Sequence, residues 1–196
     1  MILSLTGCAV APRKEKLPVA AAPIKEVAVR WEHHQAQVKK LTHWKAQGRL
    51  AASNGKDGGN ASFQWEQRGE HYQIKLWGPF GAGAVYLNGG PNRVQAQQAN
   101  GKTVVAKTPE ELLKKIAGWT VPISGMRYWM LGLPSPNSEI RSQHFDNEGM
   151  LLNLRQENWN VEYEAYGIYK MASLPNKLQL KNGNIKVKIL LTSWEK

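Results

Sequence analysis

From Ile24 onward the apolar residues fall on helical spacing. Ile24, Val27, Trp31, Val38 and Leu41 stand at three- or four-residue steps or their multiples, with Lys, Glu and Gln between them. Such a stripe predicts an amphipathic helix, and Gly48 reads as its C-terminal glycine. Beyond Gly48 the period drops to two. Phe63 and Trp65 alternate with Ser62, Gln64 and Glu66, and Tyr72, Ile74 and Leu76 with Gln73 and Lys75. Val85 with Leu87 and Val94 with Ala96 continue the pattern, and Gly/Asn clusters at 54–60, 68–69, 88–92 and 100–101 separate the runs. Short alternating runs joined by such turns predict an antiparallel meander with one apolar face.

The pattern turns helical again at Thr108-Pro109-Glu110-Glu111. Thr108 is placed to cap, Pro109 suits the first helical position and Glu111 completes a capping box. Leu112, Leu113 and Ile116 form the apolar face, and Gly118 closes the helix. A third helix is expected from Ser124 to Leu131, ended by Gly132 and Pro134. Strands then resume around 140–145, 151–156, 159–166, 178–181 and 185–194, with Asn182-Gly183 as a hairpin turn. The chain reads as mainly β (α+β), a single domain over 24–196. About ten or eleven strands form one antiparallel sheet, and three helices must cover its apolar face.

Composition sharpens this only in part. The net charge is +11, and a basic surface attracts anionic partners. The cations are scattered, however, and no nucleic-acid module accompanies them, so no nucleic-acid partner is expected. No apolar run approaches the length of a spanning helix. Eight Trp suit a protein that handles lipid, where amphipathic rings meet a wet boundary; an ordinary Trp-rich core suits them nearly as well.

The chain has one cysteine, so its position carries the information. Leu5-Thr6-Gly7-Cys8-Ala9 matches a bacterial lipobox, in which small residues let a peptidase reach the extended backbone before the cysteine. The competing reading is an ordinary buried cysteine. On the lipobox reading, 1–7 is a signal-peptide remnant. Acylated Cys8 and the Pro-containing stretch 8–23 then form anchor and tether, and two or more acyl chains anchor stably. Ala9, in place of an acidic residue, favours the outer membrane.

Candidate chemistry is sparse. The histidines at 33, 34, 43, 71 and 144 show no metal-ligand pairing. Gly81-Ala82-Gly83 lacks the lysine and helix of a phosphate loop, and no serine sits in a nucleophile elbow. No enzyme, cofactor or metal is expected. One turn stands apart: Leu76-Trp77-Gly78-Pro79-Phe80-Gly81 presents Phe80 at its tip, with Trp77 beside it. Aromatics on a tip either fold back into the core or probe a membrane at head-group level.

These stretches, with Trp129-Met-Leu-Gly-Leu-Pro134, Trp159-Asn-Val-Glu-Tyr163 with Tyr166, and Leu174-Pro175 through to Trp194, resemble the LolB family of outer-membrane lipoprotein receptors. The resemblance covers nearly the whole chain from Trp31. It implies an unclosed antiparallel β-barrel capped by helices and enclosing an apolar cavity. It also implies a function: accepting acylated lipoprotein cargo from a LolA-like periplasmic carrier and inserting its acyl chains into outer-membrane lipid. The protein would be an anchored monomer on the periplasmic face. Phe80, with Trp77 and Pro79, occupies the insertion loop, where Phe replaces the Leu familiar in the family. Expected cavity residues are Phe63, Trp65, Ile74, Leu76, Val85 and Leu87 from the first strands. Leu152, Leu154, Val161, Leu178, Leu180, Val187 and Ile189 follow from the later strands, and Ile116, Trp129 and Leu131 from the helices. Taken singly, each reads more readily as plain core than as an acyl contact; the expectation concerns the set, because an open barrel cannot fill its own interior. The alternatives are an envelope lipoprotein that binds another lipid, such as phospholipid, and a structural envelope lipoprotein with a filled core.

Overall fold

The computed structural model describes residues 22–195 apart from positions 82, 119, 137 and 171, and the backbone alone of Phe80. Cys8, the 1–7 segment and nearly all of the expected tether lie outside the described residues. Helix α1 spans Ile24–Val38. Six strands follow: β1 His43–Ser53, β2 Gly58–Arg68, β3 His71–Trp77, β4 Val85–Gly90, β5 Arg93–Gln98 and β6 Thr103–Ala106. After helices α2 (Pro109–Ala117) and α3 (Ile123–Trp129) come β7 Ile140–Phe145, β8 Leu151–Gln156, β9 Trp159–Tyr169, β10 Ala172–Asn182 and β11 Ile185–Glu195.

All 11 strands form one antiparallel sheet in the order β6-β5-β4-β3-β2-β1-β11-β10-β9-β8-β7. Each neighbour pair but one is a sequence-adjacent hairpin. The exception, β1 with β11, joins the two halves of the chain at the centre. The sheet stays open between edges β6 and β7, and α2 and α3 belong to the segment that connects them. This is the unclosed, helix-covered half-barrel expected.

Gly48 does not end a helix. It lies inside β1, at the register shift against β11 between Gln47 and Gly48. A Cβ there would sit 2.1 Å from the Leu190 carbonyl oxygen and 2.9 Å from the Phe63 ring. The glycine therefore permits close strand approach at a bulge, not a helix stop. Strand β1 escaped the pattern because its inward residues after Trp44 begin with Ala46 and Gly48, too small to signal alternation. Helix α1 stops at Val38, and its buried residues are Trp31, His34 and Val38. Ile24, expected on its buried face, is 88% exposed.

Helix α2 follows its sequence closely. Thr108 accepts from the Glu111 amide at 3.2 Å, and Gly118 closes the helix at φ 77. The Glu111 carboxylate reaches the Lys107 amide instead of the cap residue's own, at 3.3 Å. Glu110 then accepts from the Ser124 amide at 2.9 Å and the Ser124 hydroxyl at 3.1 Å. One carboxylate thus ties the start of α2 to the first turn of α3, where backbone donors lack helical partners. The two helices form one clasped cover.

Candidate functional site

Beneath that cover lies a cavity of about 280 Å³. Its floor and walls come from inward positions of the central strands: Leu50 and Ala52 of β1, Ala61, Phe63 and Trp65 of β2, Ile74 and Leu76 of β3, Leu87 of β4, and Val187 and Ile189 of β11. Its roof is Leu113 and Ala117 of α2, Val121 from the link, and Ile123 and Met126 of α3, with Met130 just beyond. The period of two explains the first set: alternate residues of a strand share one face. Among the described residues no charged residue lines the cavity, and the polar residue Asn60 stands at the rim it shares with the outer face. The lining reaches Ala52, Gly59 and Val187. These stand near the β1–β2 and β10–β11 turns, at the end of the sheet where the β3–β4 turn also lies.

The far end is closed by hydrogen bonds. Trp65 Nε1 donates to Gln67 Oε1 at 2.9 Å, and Gln67 Nε2 donates to the Gly69 carbonyl at 2.8 Å. Tyr72 packs beside Trp65, with ring centroids 6.0 Å apart. Gly89 makes room for it, since a Cβ there would meet the Tyr72 ring at 2.1 Å. Burial, and then the Glu110 carboxylate, push the Tyr72 hydroxyl up to about 12, so it stays neutral beneath the cover.

Of the expected cavity residues, Phe63, Trp65, Ile74, Leu76, Leu87, Val187 and Ile189 are brought together around this space. The others are not. Val85 and Ile116 are partly buried against the core without reaching the cavity. Leu154, Val161 and Leu180 are fully buried in solid core, and Leu178 lies there too, 1% exposed. Trp129 and Leu131 are buried core as well.

Leu152 is a correction. It is 46% exposed, while Leu151 and Leu154 are buried. Phe145 pairs with Leu151 and His144 with Asn153, so Leu152 is the extra residue of a β-bulge, where alternation fails. Trp129 owes its position to a residue that sequence reasoning missed. Gln156, fully buried, accepts from Trp129 Nε1 and the Ser135 amide, both at 2.9 Å. Its amide donates to the Ser135 and Ser138 carbonyls at 2.7 and 2.8 Å. Every polar position of this glutamine is used, which staples the segment after α3 over β8. No local pattern marks one glutamine among many for that role.

At the β3–β4 connection, Trp77 ends β3 on the outer face, with Lys75 Nζ 5.2 Å from its ring centroid. Pro79–Gly81 form a single 3-10 turn, and Pro79 is exposed. The Phe80 side chain lies outside the described residues.

The cavity and fold can be set beside known proteins. The family model described as "Outer membrane lipoprotein LolB" matches residues 42–194. The outer-membrane lipoprotein LolB of Nitrosococcus oceani is 31% identical over 194 residues, covering 99% of this chain and 93% of that protein. Its counterpart in Pseudomonas savastanoi pv. phaseolicola is 33% identical over 195 residues, covering 100% and 92%. Among solved structures, a LolA superfamily protein from Nitrosomonas europaea superposes with a TM-score of 0.52 at 6% identity, covering 86% of this chain and 92% of that one. That likeness is one of fold.

Proposed function

The chain belongs to the outer-membrane lipoprotein LolB family, and from that premise we propose that it receives lipoproteins from a periplasmic carrier and inserts their acyl chains into the outer membrane. The observation that carries the reading is the apolar cavity beneath a helical cover, opening at the end of the sheet that bears the β3–β4 turn. A lining with no charge and one amide can hold hydrocarbon, and offers nothing to activate a bond. Every methylene exposed to water costs about 0.8 kcal/mol. Acyl chains must therefore pass directly from carrier to cavity to bilayer, downhill and without nucleotide.

The cavity, at about 280 Å³, falls just below the roughly 300–1,000 Å³ of pockets for drug-sized ligands. Accepting acyl chains then requires the cover to lift. Its construction suits that motion: Glu110 and Ser124 hold α2 to α3, so both move together. Against the sheet it makes mainly apolar contacts, with hydrogen bonds from Lys115 Nζ to the Val105 carbonyl at 3.2 Å and, at the last residue of α3, from Trp129 Nε1 to Gln156 at 2.9 Å, so the cover would lift about its α3 end. Phe63, Trp65, Ile74, Leu76, Leu87, Val187 and Ile189 would form the acyl-contacting wall. Acylated Cys8 would hold the protein on the periplasmic face of the outer membrane, as a monomer, with Phe80, Trp77 and Pro79 entering the bilayer.

Transfer of radiolabelled lipoprotein from a purified carrier to outer-membrane vesicles tests the whole reading, and absence of transfer would sink it. A Phe80→Glu variant should still accept cargo but insert it at least ten-fold more slowly, since a buried carboxylate in lipid costs about 2.5–3.5 kcal/mol. Normal insertion by that variant would remove the turn from the mechanism.

A further inference from the structure

The outer face of the sheet holds a second hollow, of about 660 Å³, which borders the acyl cavity at Leu50, Asn60, Ala61 and Ile189. It follows a cross-strand row. Lys177 of β10 pairs with Leu190 of β11, Leu190 with Arg49 of β1, Arg49 with Ser62 of β2, and Ser62 with Trp77 of β3. The next row places Lys188 opposite Ala51, and Ala51 opposite Asn60. Gly78, Pro79 and Gly81 of the β3–β4 turn wall the Trp77 end.

Charge in this hollow is unbalanced, which is unusual for paired strands, since opposite charges across a ladder stabilise it. Elsewhere on the same face two lysines are matched to carboxylates, Lys45 to Glu195 at 3.1 Å and Lys181 to Glu162 at 3.2 Å. Among the described residues, Arg49 and Lys188 form no ion pair. Three cations, Arg49, Lys177 and Lys188, face a single carboxylate, Glu164, which Lys177 holds at 2.6 Å. The hydrogen bond from Lys177, with the charges of Lys177, Lys188 and Lys181, holds Glu164 below the usual carboxylate range. The opposite end is aromatic: Lys75 Nζ lies 5.2 Å from the Trp77 ring and 5.4 Å from that of Tyr86. Rings and cations together are the side chains that settle at a membrane–water boundary.

The hollow and the acyl cavity occupy opposite faces of the same strands. Leu50, Asn60, Ala61 and Ile189 border both spaces, but alternation along each strand turns Arg49, Ser62 and Lys188 to the outer side of their neighbours Leu50, Ala61 and Ile189. A molecule resting on a bilayer by the β3–β4 turn would set the outer face among head groups while the cavity opens beside it. We propose that the hollow binds the phosphate-bearing head group of an anionic phospholipid in the bilayer surface, with Arg49 and Lys188 on the phosphate and Trp77 and Pro79 at the head-group boundary. The site would orient the protein for insertion.

This rests on the reading that the chain delivers acyl chains to a bilayer, and the two fail separately. Flotation of the full chain carrying Cys8→Ala, so that no acyl group contributes, is compared on vesicles with and without phosphatidylglycerol. Binding should rise with phosphatidylglycerol. It should fall about 30-fold in Arg49→Gln/Lys188→Gln, from roughly five-fold for each cation near an anionic surface. Lys188→Gln alone should lose about five-fold, and Lys39→Gln/Lys40→Gln, with equal charge removed beyond α1, should bind like the parent. Uptake of a fluorescent fatty acid into the cavity should be intact in all of them, showing that they fold. Indifference to phosphatidylglycerol, equal loss in both double variants, or a defect confined to docking an acidic carrier protein would each overturn the site. A chain that binds these vesicles through the hollow yet moves no lipoprotein overturns the receptor reading and leaves the site standing.

Discussion

The two halves of the sheet carry equally apolar inner faces and put them to opposite uses. In the first half, β1–β4 with β11 alongside, the inward residues face a space that α2 and α3 roof without filling. In the second half, β8–β10, the inward residues Leu154, Val161 and Leu180 are wholly covered. Their cover is the segment after α3, held by Gln156, together with α1. Trp31 of α1 packs on Phe145 at 5.0 Å between ring centroids. The difference is one of polar fastening. Buried, fully satisfied hydrogen bonds make one cover rigid, while α2 and the start of α3 touch the sheet mainly through apolar contacts that can separate, hinged at Trp129, the end of α3 that Gln156 holds. A protein that must hold acyl chains and release them needs one fixed half and one that yields.

The contrast breaks most readily at Trp129. Trp129→Ala removes the fully buried indole that pins the end of α3 to the fixed half and should cost about 4 kcal/mol in urea unfolding. Phe63→Ala, also buried but already facing empty space on one side, should cost about 2 kcal/mol, because fewer contacts are lost. Equal costs would mean that the halves are packed alike. A filling substitution sharpens the comparison next. Leu113→Trp adds bulk to the roof of the cavity; it should change stability by less than about 1.5 kcal/mol while abolishing uptake of a fluorescent fatty acid. Unaltered uptake would place acyl binding elsewhere.

The smallest effect expected comes from His34, in the fixed half. Burial lowers its pKa below 6.5, opposed by Asp146, and its Nε2 has no hydrogen-bond partner among the described residues. A folded-state pKa below the unfolded one means that the unfolded chain binds the extra proton first. Stability is therefore full above about pH 6.5 and declines as pH falls toward the folded pKa. The midpoint of thermal unfolding should drop between pH 7.5 and 5.5, and His34→Phe should flatten that slope; an unchanged slope would assign it to other groups.

Much of this architecture is written in local pattern. The period-two runs at Phe63–Trp65 and Tyr72–Leu76 locate strands and choose their inward faces, because a strand cannot bury both sets of side chains on one side. Thr108, Pro109 and Gly118 bound α2, because each meets a need peculiar to a helix end. Where the signal was weak, the physics was non-local. Gly48 looks like a helix stop until Leu190 and Phe63 are seen against it, and Leu152 looks inward until the bulge opposite His144 and Phe145 turns it out.

By itself, then, the sequence determined the antiparallel sheet, the helical cover, the family and which faces are apolar, since these follow from periodicity, end signals and motifs carried along the chain. Only the tertiary structure decided which apolar face stays hollow. A residue's period says that it points inward, but whether it meets another side chain or a space depends on what covers it, and the fastening of that cover by Gln156 or by Glu110 joins residues far apart in the chain.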